Sequence, residues 1–272
     1  MDPQAIAETW QRGSAAVAVT VAGAQLAAAQ QADPYVQATL VAESVLPATG
    51  YAVAAGAFAG VAADGRDLMS LLYQPAIVAL VGIQGGQPAE RSLAAGYAAL
   101  DTMVRTEVAD AGREADLVAN TAHGVGGYIR HVVGATCNRC IILAGRWYRY
   151  SAGFQRHPRC DCVMVPAVEG EQPTVNPEQI YRGMTPAERS AAGWSKAEQE
   201  ALNLGADISQ VTNVHRKGSI YVAGGRQYTR ESTSRRGAAP KTARPTPRQI
   251  FADARGDRGE AIRLLKRFGY LR

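Results

Sequence analysis

The chain has 272 residues, 47% of them hydrophobic but only 7% aromatic, with 28 glycines and a formal net charge of +5. That length is enough to bury the core of one large domain or two smaller ones, and the abundance of small side chains suits closely packed helices. The most apolar stretch, Gly50 to Ala63, is too short and too alanine-rich to span a bilayer and runs directly into Asp64, Arg66 and Asp67, so the sequence predicts a soluble, intracellular protein with no membrane contact.

The charge is unevenly placed. Met1 to Thr212 carries 14 Lys or Arg against 20 Asp or Glu, whereas Asn213 to Arg272 carries 15 against 4. A block this basic can hold nucleic acid or an acidic protein surface by non-specific electrostatics, and the candidate contacts are Arg216, Lys217, Arg235, Arg236, Lys241, Arg244, Arg258, Arg263, Lys266 and Arg267.

In chain order, Gln4 to Gln31 reads as an alanine-rich helix without internal proline, broken at Asp33-Pro34, and Tyr35 to Val45 as a second helix ending near Pro47. Ala52 to Ala63 and Leu68 to Val81 read as further helices interrupted by Gly56, Gly60 and the Asp64-Gly65 turn. Between Ala89 and Asn120 the residues Leu93, Tyr97, Leu100, Val104, Val108, Ala111, Ala115 and Val118 recur at steps of three and four, which predicts one long helix with one buried stripe.

That helix should stop before Gly124-Val125-Gly126-Gly127. Tyr128 to Val133 then reads as a strand, with Val163 to Val165 as a second one ending at Pro166. His123 and His131 look like ordinary turn and strand histidines. Glu169 to Pro177 reads as a polar linker. Thr185-Pro186-Ala187-Glu188 and Ser195-Lys196-Ala197-Glu198 carry capping-box spacing and should each open a short helix. Ser219 to Val222 and Arg226 to Thr229 flank Ala223-Gly224-Gly225 as a hairpin, and Ser232 to Pro247 reads as a basic, flexible strap. The closing helices should be Arg248 to Ala254 and Asp257 to Phe268, the second with an apolar stripe of Ala261, Leu264, Leu265 and Phe268 that docks on this protein or on a partner.

Chemistry is concentrated in one place. All four cysteines, with His157, fall within 26 residues as Cys137-Asn138-Arg139-Cys140 and His157-Pro158-Arg159-Cys160-Asp161-Cys162. Two close thiol pairs can close a tetrahedral cage around a soft divalent ion, with zinc the first choice. If Cys160 and Cys162 are extended, their side chains face one side because strand side chains alternate. Spacing does not choose four ligands among Cys137, Cys140, His157, Cys160 and Cys162. Two disulfides and a thioredoxin-like redox pair are the competing readings, the first disfavoured by the lack of a secretory signal and the second by the paired motif. A catalytic zinc would need a general base, and no H-E-x-x-H or H-x-E arrangement occurs, so the ion is expected to be structural and to supply folding free energy to a module with little core of its own.

The residues Cys137-x-x-Cys140, Leu143-Ala144-Gly145-Arg146 and the terminal His157-Pro158-x-Cys160-x-Cys162, over roughly Tyr128 to Pro166, resemble the MuF-like minor head, or head-morphogenesis, proteins of tailed bacteriophages. Arg156 stands where a proline often precedes the histidine, and Asp161 where a basic residue is commoner. The wider layout is similar to versions from phages of actinobacteria, with its alanine-rich front, Gly205-Ala206-Asp207-Ile208-Ser209-Gln210-Val211, Arg235-Arg236-Gly237 and an Arg-rich closing helix. Some proteins of that layout are labelled capsid maturation proteases.

The resemblance implies a low-copy structural protein of the virion head or procapsid, present in the host cytoplasm during assembly, that joins portal, scaffold or major capsid protein. The fold expected is mainly α with a small α/β zinc-knuckle insert and a basic C-terminal helical module. Its parts are a helical domain (1–123), the zinc-knuckle module (124–168), a linker with short helices (169–212) and the basic module (213–272). Two other classes remain open. A protease would have to recruit one of the four thiols with His157, or Ser209, Ser219 or Ser232 with His215, and no G-x-S-x-G elbow is present. A DNA-binding regulator would use Arg139, Arg146, Arg149, Arg156 and Arg159 beside Trp147, Tyr148 and Tyr150, although the spacing matches no nucleic-acid finger.

Overall fold

The computed structural model describes residues 5–48, 50–134, 136–153, 156–157, 160, 162–170, 175–232 and 243–271. It is mainly helical with two small antiparallel sheets. Two compact units divide the chain, one comprising Met1–His131 with Trp147–Glu171 and the other Val132–Arg146 with Gln172–Arg272.

In the first unit, α1 (Ile6–Ala29) and α2 (Ala32–Ala42) meet at a tight turn. The break, at Gln30-Gln31, falls three residues earlier than Asp33-Pro34 suggests. Asp33 and Pro34 sit in the first turn of α2, where a proline forfeits no helical hydrogen bond, and the Asp33 carboxylate accepts from Val53 N at 2.6 Å. The stretch from Ala52 to Ala63 forms only a 3-10 turn at Ala55–Phe58. Gly60 has a positive φ of 78° there, and the buried Gln25 amide occupies both sides of the turn, donating to Val61 O and accepting from Gly60 N, each at 2.9 Å.

Next come α3 (Leu68–Leu72), capped by the Asp67 carboxylate, and α4 (Gln74–Gln84), with Pro75 in its first turn. The long helix α5 (Ala89–Ala122) is present as its periodicity predicts, but its buried face differs at two positions. Tyr97 is 70% exposed and Val118 46% exposed. For Tyr97 the reason is the close approach of α4. A side chain at Gly96 would stand 2.7 Å from Pro75 O, and one at Gly82 would meet Ser92, so the contact is made by small residues and the large neighbours turn outward. Leu93, Leu100, Val104 and Val108 do pack against a core of Ile6, Trp10, Val21, Leu68 and Leu72. Ala111 is buried, and Ala115 and Ala119 join Val36, Leu40 and Val125 in a second cluster.

After α5 the chain enters a three-stranded sheet in the order β2-β1-β3, from β1 (Gly127–His131), β2 (Trp147–Arg149) and β3 (Val163–Ala167). β3 runs through Pro166 instead of ending there, because it is an edge strand, where a missing N–H need not cost a ladder bond. Tyr128 pairs with Tyr148 on one side and Pro166 on the other and is fully buried.

The second unit strings short helices together with explicit caps. They are α6 (Asn138–Ile141), α7 (Pro177–Gly183), α8 (Pro186–Ala191), α9 (Lys196–Asn203) and α10 (Ile208–Asn213). Both expected capping boxes form, at Thr185/Glu188 and Ser195/Glu198. Pro177 opens α7 on an Asn176 cap rather than closing a linker. The hairpin β4 (Ile220–Ala223) and β5 (Arg226–Thr229) is joined by β6 (Arg244–Pro245), so the end of the expected strap is a strand. Residues 233–242 of that strap lie outside the described residues.

The closing helices are α11 (Pro247–Ala254) and α12 (Arg258–Arg267). The stripe of α12 docks on its own unit. Leu264, Leu265 and Tyr270 share a core with Ile141, Trp194, Val211 and Ile250, and Ala261 is buried with them while Phe268 packs alongside. Trp194 Nε1 donates to Thr212 Oγ1 at 3.0 Å, and Tyr270 OH to Pro245 O at 3.0 Å, so the polar ends of these buried rings are satisfied.

Candidate metal centre

Cys137 caps the single turn α6 from an extended conformation, and its carbonyl accepts from Cys140 N at 3.0 Å and Ile141 N at 3.1 Å. One helical turn brings positions three apart onto the same side, so the spacing C-x-x-C is what this turn needs to present two thiols together. Asn138 N donates to Ala192 O at 2.8 Å, tying the turn to the end of α8. Cys140 is buried and Cys137 half-buried.

The other pair enters β3. Cys160 and Cys162 are both buried, with Cys162 at 0% exposure, and Cys160 N donates to His157 O at 3.1 Å. Arg113 of α5 sets this stretch from below. Its guanidinium donates through Nε to Cys162 O at 2.8 Å and through Nη2 to Cys160 O. One planar fork thus holds two carbonyls two residues apart.

Arg113 is itself held by Asp110 Oδ1 at 3.1 Å. The same carboxylate oxygen lies 3.3 Å from Arg156 Nε, and Glu114 Oε1 lies 3.8 Å from Arg156 Nη2. Burial raises the Glu114 carboxyl above its ordinary value, with Arg156 opposing the rise. Asp116, one turn beyond Arg113, is pushed up to about 7 by burial despite Arg113. From β1, Arg130 donates through Nη2 to Cys160 Sγ at 3.6 Å and is 2% exposed. Tyr35 of α2 donates to Met164 O at 2.9 Å, fixing β3 one step further on.

Within the second unit the sulfurs of Cys137 and Cys140 lie within 4.8 Å of one another, and within the first unit so do those of Cys160 and Cys162. No disulfide joins the four cysteines. Four of the five sequence-derived candidates thus stand as two close thiol pairs, one in each unit, with His157 in the first. Soft sulfurs plus one imidazole, largely sheltered from water, form a donor set that could hold a metal ion.

The residues that orient this set, Asp110, Arg113 and Arg130, were not legible as site residues. The available signal was a charged i, i+3 series, Glu107, Asp110, Arg113, on the otherwise apolar side of α5. Of the regulator's arginines, Arg156 is engaged by Asp110 and Glu114, while Arg159 lies outside the described residues.

The basic candidates divide. Arg216, Lys217, Arg258, Arg263, Lys266 and Arg267 are exposed, with Arg216 3.7 Å from Glu231 and Arg263 2.6 Å from Glu260. Arg235, Arg236 and Lys241 lie outside the described residues. Arg244 is a correction. It is fully buried, its guanidinium centred 3.8 Å over the Tyr270 ring, donating to Phe268 O, Glu231 O and Gly269 O at 2.9, 3.2 and 3.3 Å. A guanidinium whose donors are spent on main-chain carbonyls in a core is not available to a phosphate.

Among the described residues, no helix is long and apolar enough to cross a membrane. The fold and the cysteine cluster define a mainly helical protein with a candidate metal centre on small sheet and helix elements. The chain matches the family model described as VG15 protein over residues 3–187, and so belongs to that family of phage virion-associated proteins. No curated protein and no solved structure matches it.

Proposed function

We propose that this chain is a minor structural head protein of a tailed bacteriophage, of the MuF-like kind, acting in portal-associated head morphogenesis. The observation that carries the reading is the two close thiol pairs, Cys137 with Cys140 and Cys160 with Cys162, on the C-x-x-C and H-P-x-C-x-C residues of a phage virion-associated family member. The ion proposed is structural zinc, with ligands drawn from Cys137, Cys140, His157, Cys160 and Cys162. Tetrahedral sulfur-rich closure leaves no position for a reacting water, and metal binding then stabilises the folded arrangement directly.

Portal, scaffold or major capsid protein is the partner, and the exposed cations Arg216, Lys217, Arg258, Arg263, Lys266 and Arg267 meet DNA or an acidic inner head surface. Two of the serines a protease could recruit hydrogen-bond elsewhere, whereas the His215 contact with a carboxylate is one that a catalytic base also makes. His215 faces Glu198 at 2.6 Å, Ser219 donates to Glu231 at 2.9 Å and Ser232 to Gln210 at 2.7 Å.

Quantitative mass spectrometry of purified mature particles and their immature precursors tests this role. The intact chain at a few copies per mature head is the expected result. Loss of the chain on maturation, together with trimmed termini on coat or scaffold, would replace this reading with a capsid maturation protease.

A further inference from the structure

We infer that Arg130 is a positioning residue of the metal centre, acting on the sulfur of Cys160; the inference rests on the metal reading above. The two buried arginines on this stretch have different partners. Arg113 grips main-chain carbonyls of Cys160 and Cys162 and is matched by Asp110, so it sets the path of the backbone. Arg130 reaches a ligand atom itself, Nη2 standing 3.6 Å from Cys160 Sγ with both residues buried.

β1 delivers that guanidinium rigidly, because Arg130 is paired in register with Met164 of the adjacent β3, two residues past Cys162. A buried charge is expensive to place, and a site built from anionic sulfurs around a divalent ion carries net negative charge that a fixed cation offsets. An N–H donated to a ligating sulfur also fixes the lone pair that faces the metal and withdraws electron density from it. Arginine suits this task better than lysine, since its planar head holds one donor on the sulfur while its others stay directed elsewhere.

Cobalt(II) on the full chain reads this out, because its thiolate-to-metal charge-transfer band reports the electron density on the ligating sulfurs. The wild-type chain and Arg130→Met, stripped of metal and checked for equal helix content, are titrated with cobalt(II) against a chromophoric chelator. Arg130→Met is expected to bind cobalt about 10- to 100-fold more weakly and to shift the charge-transfer band. A purely structural role would change affinity or folding without moving the band. Should Arg130→Met fail to fold, Arg130→Gln, which keeps a neutral N–H donor on a shorter side chain, decides by the same two readouts with a smaller displacement. Wild-type affinity and an unmoved band in a folded variant overturn the inference and leave the metal reading standing. Failure of the wild-type chain to take up cobalt at all overturns both.

Discussion

His215 Nε2 lies 2.6 Å from Glu198 Oε1, and the same glutamate closes the capping box of α9 by accepting from Ser195 N at 2.7 Å through its other oxygen. One carboxylate, 2% exposed, therefore starts a helix and holds an imidazole. Glu198 raises the His215 pKa above the ordinary 6.5, against the opposing effects of burial and Arg139. A raised histidine stabilises the fold fully below 6.5, the unfolded value, and that contribution disappears as pH rises through the higher folded value. Because His215 is half-exposed, the effect is small, roughly 0.5 kcal/mol. Urea midpoints should fall on going from mildly acidic to mildly basic pH, and His215→Gln should remove that slope.

Arg244 yields a prediction opposite to the one its charge suggests. Arg244→Met strips three buried carbonyls of their donor and should cost about 3 kcal/mol of stability. Denaturant unfolding measures this directly. Arg244→Met protein that unfolds with the wild-type midpoint would show the clamp over Tyr270 to be idle.

The metal reading makes a paired prediction. A strong chelator should lower the thermal midpoint of the wild-type chain, since a ligand at a thousandfold excess over its Kd stabilises by about 4 kcal/mol. The same chelator should do nothing to Cys140→Ser, which lacks one thiol of the C-x-x-C pair. Differential scanning fluorimetry with and without chelator checks both halves.

The exposed cations can be tested one at a time. If Arg258, Lys266 and Arg267 meet duplex DNA phosphates, each substitution by alanine should weaken binding irrespective of sequence. Each should also lower the slope of log K against log salt by about 0.9. An unchanged slope in the triple variant would leave an acidic protein surface as their partner.

The long helix α5, both capping boxes and the β4–β5 hairpin were legible because each is written in local signals, a 3.6-residue period, an S/T-x-x-E spacing and a Gly-Gly turn. The two thiol pairs were legible for the same reason. What escaped depends on residues far apart in sequence. Tyr97 fits the stripe of α5 by spacing, yet Gly96 and Ser92 take the contact with α4. The two-residue strand at Arg244–Pro245 exists only because β5 is there to pair with it. Arg113 and Arg130 show nothing in sequence of the carbonyls and sulfur they address, 47 and 30 residues away. The caps of α7 and α10, Asn176 and Asp207, were readable in principle, but helices this short carry too little periodicity to draw notice.

The place of Ile250, Leu264, Leu265 and Tyr270 in the core with Trp194 and Val211 also bears on how the protein is made. Trp194 is synthesised long before the residues that cover it, and it has no complete apolar surroundings until residue 270 has left the ribosome. The second unit thus closes only after α11 and α12 have been made, and an interrupted chain would expose the apolar surfaces that these helices normally seal. Deleting the basic residues wholesale would do the same, so a lost interaction in such a deletion would report on a collapsed fold as readily as on missing charge.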